Sequence, residues 1–305
     1  MKNRDVMEKE LFSLPQLSGT TCLGRIGSGG FKRVYKVNIN GKFEALKMIR
    51  LFDANVENQE AKEILRNTLL ARALREYQLL RQLNSLNIVN LGSVQAFEAT
   101  IEGNPYFIYS EEFLDGTLLA SQIPNGDIPQ PSWEQVELLF NSGLNVLKEL
   151  DSINAVNRDI KPQNIMVLPN SSRPFVFFDL GAAFVANGSS ITTTSSSAPL
   201  TYRYSSPEAL SPYKETPLDI RSDIFSFAIT IFEYATGKHP FITDEDTDIC
   251  YQIIHNESQS ISDYRNDIPI EFESLLSQCM KKRLALRPNL NVLETKFNAL
   301  QEGGC

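Results

Sequence analysis

The chain has 305 residues, 42% apolar and 22% charged, enough for the core of one large domain or of a two-lobed one. A net charge of −8 argues against general nucleic-acid binding, and two histidines with four scattered cysteines (Cys22, Cys250, Cys279, Cys305) argue against a zinc site or a disulfide framework. No apolar run reaches membrane-spanning length and the start lacks a signal-peptide core, so the expectation is a cytoplasmic protein without membrane or nucleic-acid partners.

Residues 1–19 read as a polar lead-in, broken at Pro15. From Thr21 the pattern turns to strands: Cys22–Ile26, the cluster Gly27-Ser28-Gly29-Gly30, then Phe31–Val37. Asn40-Gly41 predicts a two-residue hairpin turn, with Phe43–Ile49 as the next strand. Glycines between two strands let backbone N–H groups approach phosphate, although a plain tight hairpin uses them equally well. No Gly-Lys-Ser/Thr opens a helix, which excludes a Walker A loop. Lys47 shares a strand face with Ala45 and Ile49, an apolar setting for an ammonium unless the strand is at an edge.

A helix is predicted from Glu57 to about Leu83, with Leu69, Ala73, Leu80 and Leu83 in one stripe and Glu76 within it. A carboxylate on an inward face needs a partner, and Lys47 is the candidate. Deleting one member of such a buried pair typically costs ~3–5 kcal/mol. Strands at about Asn90–Thr100 and Tyr106–Phe113, split by the turn Glu102–Pro105, complete a five-stranded sheet with one helix.

Glu111–Gly116 reads as a connector. Ser132 and Gln135 have capping-box spacing and open a helix to about Leu150. There follows the octet Asn157-Arg158-Asp159-Ile160-Lys161-Pro162-Gln163-Asn164, before a short strand, Ile165–Leu168. In such a loop an Asp can orient a hydroxyl and accept its proton, the Lys can face phosphate, and the Asn can hold a metal. A polar surface loop is the bland alternative. Strand Phe175–Phe178 runs into Asp179-Leu180-Gly181, which suits metal binding or an ordinary strand-ending turn. Ser189–Ser197 carries eight hydroxyls in nine residues. Helices are expected at about Asp219–Thr236, Asp246–Asn256, Glu271–Met280 and Asn291–Leu300.

In that order the glycine loop, strand lysine, helix glutamate, Asp-x-Lys-x-x-Asn and Asp-x-Gly resemble the eukaryotic-type (Hanks-type) serine/threonine protein kinase family, over roughly residues 20–300. The resemblance implies an α+β, bilobal kinase-like fold, with a small β-rich N-lobe (20–113) carrying one main helix and a larger, mainly helical C-lobe (117–300). Residues 1–19 would be an extension and 301–305 a tail. It implies ATP with Mg²⁺, or Mn²⁺ in its place, protein substrates, and self-association for phosphorylation in trans. Ile26, Gly27, Ser28, Gly29, Gly30, Val34, Ala45, Lys47, Glu112 and Met166 would bind the nucleotide. Lys47 would contact the α- and β-phosphates, Glu76 would hold Lys47, Asp159 would be the base, and Lys161 would meet the γ-phosphate. Asn164 and Asp179 would ligate the metal. Ser206-Pro207-Glu208 and its partner Arg287, Thr201 near the substrate hydroxyl, and Asp223 anchoring the loop backbone also match, and Lys161-Pro162 points to the serine/threonine branch.

Four positions depart from the family pattern. Lys32 replaces the third loop glycine, Asn157 the usual His, and Leu180 the usual Phe; Glu111 or Ser110 falls near the residue guarding the adenine pocket. Gln163, where many basophilic members carry Glu, argues against a strong preference for upstream arginine. The rival readings are a catalytically impaired scaffold that binds nucleotide or a partner, and a kinase-like enzyme acting on a small molecule. Arg158 beside Asp159 and the hydroxyl-rich stretch predict autophosphorylation within Ser189–Thr194.

Overall fold

In a computed structural model the chain divides into two units, Met1–Gln82 with Val89–Asp115, and Leu83–Ile88 with Gly116–Cys305. The structure describes residues 2–181, 183–185, 202–211, 218–243 and 248–303.

The first unit holds α1 (Lys2–Phe12), β1 (Thr20–Ser28), β2 (Lys32–Ile39), β3 (Lys42–Arg50), α2 (Gln59–Gln82), β4 (Phe97–Ile101) and β5 (Asn104–Glu112). The strands form one antiparallel sheet in the order β1-β2-β3-β5-β4. Asn40 and Gly41, at φ 52° and 85°, make the two-residue turn that pairs Ile39 with Lys42. Two register shifts, at Cys22/Gly24 and Arg25/Gly27, bend β1 as it approaches the glycine cluster.

Alternation along the strands gives the sheet two faces. Tyr35, Val37, Leu46, Met48, Tyr106 and Ile108 form a buried cluster on one of them. Met7, Leu11 and Leu17 join that cluster, so the expected polar lead-in is instead a helix and a turn docked on the sheet. Residues 20–113 hold the one expected α-helix, α2, and α1 is added to the unit from the stretch before them. The apolar residues of α1 are few and sit among charges, so the helix owes its place to docking and not to a strong stripe of its own. The other face meets α2, whose buried residues include Leu69, Ala73, Glu76, Tyr77 and Leu80; Tyr77 lies edge-on to Phe107 and Tyr109 at 6.4 and 5.4 Å.

Two strand boundaries differ from expectation. Asn90–Gln95 follows β5 through single contacts, such as Gly92 N–H to Ser110 O at 2.8 Å, and the regular ladder of β4 starts only at Phe97. Strand β5 begins at Asn104, because Glu102-Gly103 (φ 50° and 75°) is by itself a two-residue turn.

The second unit contains β6 (Thr117–Leu118), α3 (Trp133–Ser152), β7 (Ala155–Val156), β8 (Ile165–Val167), β9 (Phe175–Phe177), β10 (Phe184–Val185), α4 (Pro207–Leu210), α5 (Ile220–Thr236), α6 (Ile249–His255), α7 (Ile270–Cys279) and α8 (Leu290–Gly303). The capping box opens α3 as its spacing predicts: Gln135 N–H donates to Ser132 Oγ at 3.4 Å, and Ser132 N–H to Gln135 Oε1 at 2.9 Å. Helix α5 is the central element, buried at every position from Ile220 to Thr236 except Arg221. Gly237, at φ 74°, ends it with its N–H on Glu233 O at 2.8 Å. Phe140 of α3 packs on Phe227, Phe272 and Phe297 at ring separations of 5.8, 5.2 and 4.4 Å. A Cβ on Gly143 would stand 2.0 Å from the Phe227 ring, so only glycine lets α3 and α5 approach this closely.

Leu83–Ile88 belongs with this unit although it follows α2 in the chain. Phe177 N–H donates to Asn87 O at 2.8 Å, and Asn87 Nδ2 to Phe175 O at 2.9 Å, which ties the stretch to β9. Among the described residues no helix is long and apolar enough to cross a membrane.

Candidate active site

In the first unit, Lys47 and Glu76 come together. Position 47 pairs with Tyr109 on β5 and with Val34 on β2, which puts the ammonium on the sheet face that α2 covers. There Lys47 Nζ meets Glu76 Oε1 at 3.1 Å, with side chains only 6% and 1% exposed. Burying an unpaired carboxylate would be very costly, and the lysine removes that cost. The glycine cluster lies between β1 and β2. Added Cβ atoms on Gly29 and Gly30 would meet nothing within 4 Å, and one on Gly27 would touch only Val34 at 3.6 Å. Neither crowding nor left-handed backbone requires these glycines, so what they provide is bare backbone facing open space. Val34 pairs with Gly27 and Ala45 with Glu111, and Ile26 is half exposed. Glu112 is bound to Asn90, whose N–H and Nδ2 donate to Glu112 Oε1 at 2.8 and 2.9 Å.

In the second unit the octet folds around Asp159. Lys161 Nζ donates to both carboxylate oxygens at 2.7 and 2.8 Å. Asn164 Nδ2 donates to Asp159 O and to Asp159 Oδ2, both at 2.9 Å. Burial pushes the Asp159 carboxyl up; Lys161 and Asn164 pull it back, and the negative Asp179 pushes it up again. Asp179 is left-handed at φ 63° and accepts from Gly181 N–H at 3.3 Å, while Phe178 N–H donates to Asn164 O at 3.0 Å. Met166 lies on the neighbouring strand, paired with Val176.

The loop's unusual backbone has a visible anchor. Arg158 is left-handed at φ 65°, a conformation that costs a non-glycine residue energy. The wholly buried Asp223 of α5 accepts from Asn157 N–H at 2.6 Å and from Arg158 N–H at 2.8 Å. Burial pushes the Asp223 carboxyl up to about 7, against the pull of those two bonds and of the Arg158 charge. Glu208 and Arg287 form a two-pronged pair at 2.7 and 2.8 Å. Thr201 and the stretch Ser189–Ser197 lie outside the described residues.

The donors fit the groups that the sequence implies. Asn164 spends its N–H groups on Asp159, which leaves its carbonyl oxygen as a hard donor of the kind Mg²⁺ takes, and the Asp179 carboxylate is of the same chemical class. Among the described residues no three His, Cys, Asp or Glu side chains cluster as a metal cage, and an ion held by one or two carboxylates plus phosphate needs none.

Two participants were not foreseen. Glu111 places Oε1 2.5 Å from Lys47 Nζ, and Lys32 places Nζ 3.0 Å from Glu76 Oε2. The signal lay in pairing register: Glu111 is one step along the same face of β5 from Tyr109, hence diagonal to Lys47.

The protein kinase domain family matches residues 21–297. Similar proteins include a probable serine/threonine-protein kinase of Clostridium acetobutylicum, 29% identical over 85% of this chain and 36% of its own length. The probable serine/threonine-protein kinase PknB of Bifidobacterium longum is 29% identical over 84% of this chain and 36% of its own. Serine/threonine-protein kinase PknB of Mycobacterium leprae is 26% identical over 69% and 32%. The chain thus spans about a third of the length of these curated relatives.

Proposed function

The chain belongs to the protein kinase domain family, and on that premise we propose that it is a protein serine/threonine kinase, moving the γ-phosphoryl group of ATP to Ser or Thr hydroxyls of protein substrates. The buried Lys47–Glu76 pair at 3.1 Å carries the reading. An ion pair of this kind adds little to stability over an apolar pair of similar size, so its retention is best explained by a task for the ammonium. In this reading Lys47 binds the α- and β-phosphates, and Glu76 keeps its ammonium in place. The backbone of Gly27–Gly30 covers the phosphates. Asp159 orients the substrate hydroxyl and accepts its proton, while Lys161, bound to the same carboxylate, neutralises charge on the γ-phosphoryl group. Asn164 and Asp179 would hold Mg²⁺, which supplies electrostatic stabilisation of the transferring group.

Autophosphorylation within Ser189–Thr194 extends the same reading. The support is compositional, a dense run of hydroxyls in the chain itself, with Arg158 beside Asp159 as a phosphate partner. Incubation with labelled ATP, Mg²⁺ and a generic protein substrate tests the activity, with Lys47→Ala and Asp179→Asn as controls. Transfer by the wild type, lost in both variants, is expected; equal transfer by all three proteins contradicts the assignment. Mass spectrometry of the incubated wild type should find phosphate between Ser189 and Thr194, and its absence there removes the regulatory part alone.

A further inference from the structure

Lys32, which stands where the family has a loop glycine, and Glu111 both end on one ion pair. Lys32 Nζ stands 3.0 Å from Glu76 Oε2, Glu76 Oε1 stands 3.1 Å from Lys47 Nζ, and Lys47 Nζ stands 2.5 Å from Glu111 Oε1. The four groups run cation, anion, cation, anion, and their charges sum to zero. Three of them are nearly inaccessible to water, with side chains 6% (Lys47), 1% (Glu76) and 4% (Glu111) exposed; Lys32, at 26%, is the outermost. Strand register builds the row: Val34 pairs with Lys47, Lys47 with Tyr109, and Ala45 with Glu111. Tyr109 steadies the inner end, its hydroxyl 3.3 Å from Glu111 Oε1.

Lys47 and Glu76 alone would already be neutral. Adding a buried carboxylate at position 111 would leave an uncompensated negative charge beside them, and burial does push Glu111 toward its neutral form, opposed by Lys47 and reinforced by Glu76. Lys32 supplies the missing positive charge from the end of the glycine loop. The two residues therefore act as one electrostatic unit.

This has a consequence for the ammonium, if Lys47 contacts phosphate as proposed above. An arriving phosphate meets a Lys47 already shared between two carboxylates, and its own negative charge must approach Glu111. We propose that Glu111 is a positioning residue of the nucleotide site that competes with phosphate for Lys47 and weakens ATP binding, with Lys32 as the cation that balances it.

Titration calorimetry with MgATP and with adenosine, on wild type, Glu111→Gln, Lys32→Met and the double variant, tests this. The isosteric Glu111→Gln should bind MgATP roughly tenfold tighter, the scale of one nearby charge in a partly buried site. Adenosine, which has no phosphate, should bind unchanged. Lys32→Met should weaken MgATP, and the double variant should return toward wild type. Unchanged or weaker MgATP binding in Glu111→Gln, or an equal gain for adenosine, overturns the proposal. Melting temperatures of the same four proteins read the cluster without any nucleotide: Lys32→Met should lower stability, and should cost less when combined with Glu111→Gln, which removes the charge that Lys32 balances. Strict additivity overturns the pairing of Lys32 with Glu111. If the wild type binds neither ligand, the nucleotide reading falls, and the melting cycle alone decides whether the two residues are coupled.

Discussion

Arg287→Ala should be among the most damaging single changes in the second unit. Arg287 is fully inaccessible in its side chain and grips Glu208 with two bonds, at 2.7 and 2.8 Å; Glu208 is only 7% exposed. Its guanidinium also donates to Lys281 O at 2.7 Å, and to Arg221 O and Lys282 O at 3.1 Å, with its carbon 4.6 Å from the Phe225 ring centre. Truncation leaves a buried carboxylate to the Ser222 hydroxyl, at 2.7 Å, and a backbone N–H, and takes a donor from three carbonyls. Breaking a buried pair in this way costs ~3–5 kcal/mol. For a unit of this size each kcal/mol lowers Tm by about 2–4 °C, so a fall of roughly 6–20 °C is expected by calorimetry. The pH dependence follows with a definite sign. Burial raises the Glu208 carboxyl, but the Arg287 bonds and charge outweigh it, and the group lies below the usual carboxylate range. A carboxyl lowered on folding adds stability above its unfolded pKa and loses it as pH falls through the folded one. Glu208→Gln should therefore destabilise near neutrality and show a flatter loss in acid than the wild type. A fall of under about 1 kcal/mol in Arg287→Ala, the scale of an exposed pair, would refute the reasoning.

Three further outcomes are expected. Asp223→Ala strips one buried and one partly buried N–H group of their acceptor, so it should cost ~1–3 kcal/mol in denaturant melts and reduce phosphoryl transfer by loosening the loop that carries Asp159. Leu11→Ala removes a fully buried side chain from the sheet-facing side of α1 and should cost ~2–5 kcal/mol, whereas a dispensable extension would show no change. Asn157 is 2% exposed and its Oδ1 has no hydrogen-bond donor among the described residues; Asn157→Leu should thus keep or raise stability, read as the urea midpoint.

What was legible in the sequence was what local chemistry forces. A glutamate inside an apolar helical stripe must have a partner, and this points to Glu76 with Lys47 before any coordinates. The octet around Asp159 and the capping box of Ser132 and Gln135 are likewise confined to a few consecutive residues, and the capping box forms as its spacing implies. The illegible parts depend on pairing between distant segments. Glu111 reaches Lys47 only because β3 and β5 pair in one particular register, and Lys32 reaches Glu76 only once α2 lies on the same face. Helix α1 was hidden for a different reason: its buried residues, Met7 and Leu11, are too few among charges to announce a stripe, and it is stabilised by docking. The grouping of Leu83–Ile88 with the second unit rests on the bonds from Asn87 to β9, again a nonlocal event.

In the proposed mechanism Asp159 receives the proton of a substrate hydroxyl during phosphoryl transfer. The most direct test of this step compares kcat of wild type and Asp159→Asn with labelled ATP, Mg²⁺ and a protein substrate, alongside MgATP binding to both by calorimetry. Asparagine keeps the size of the side chain but cannot accept that proton, so kcat should fall by ~10²–10⁴ while MgATP still binds. A variant that binds MgATP and turns over at the wild-type rate would contradict the account.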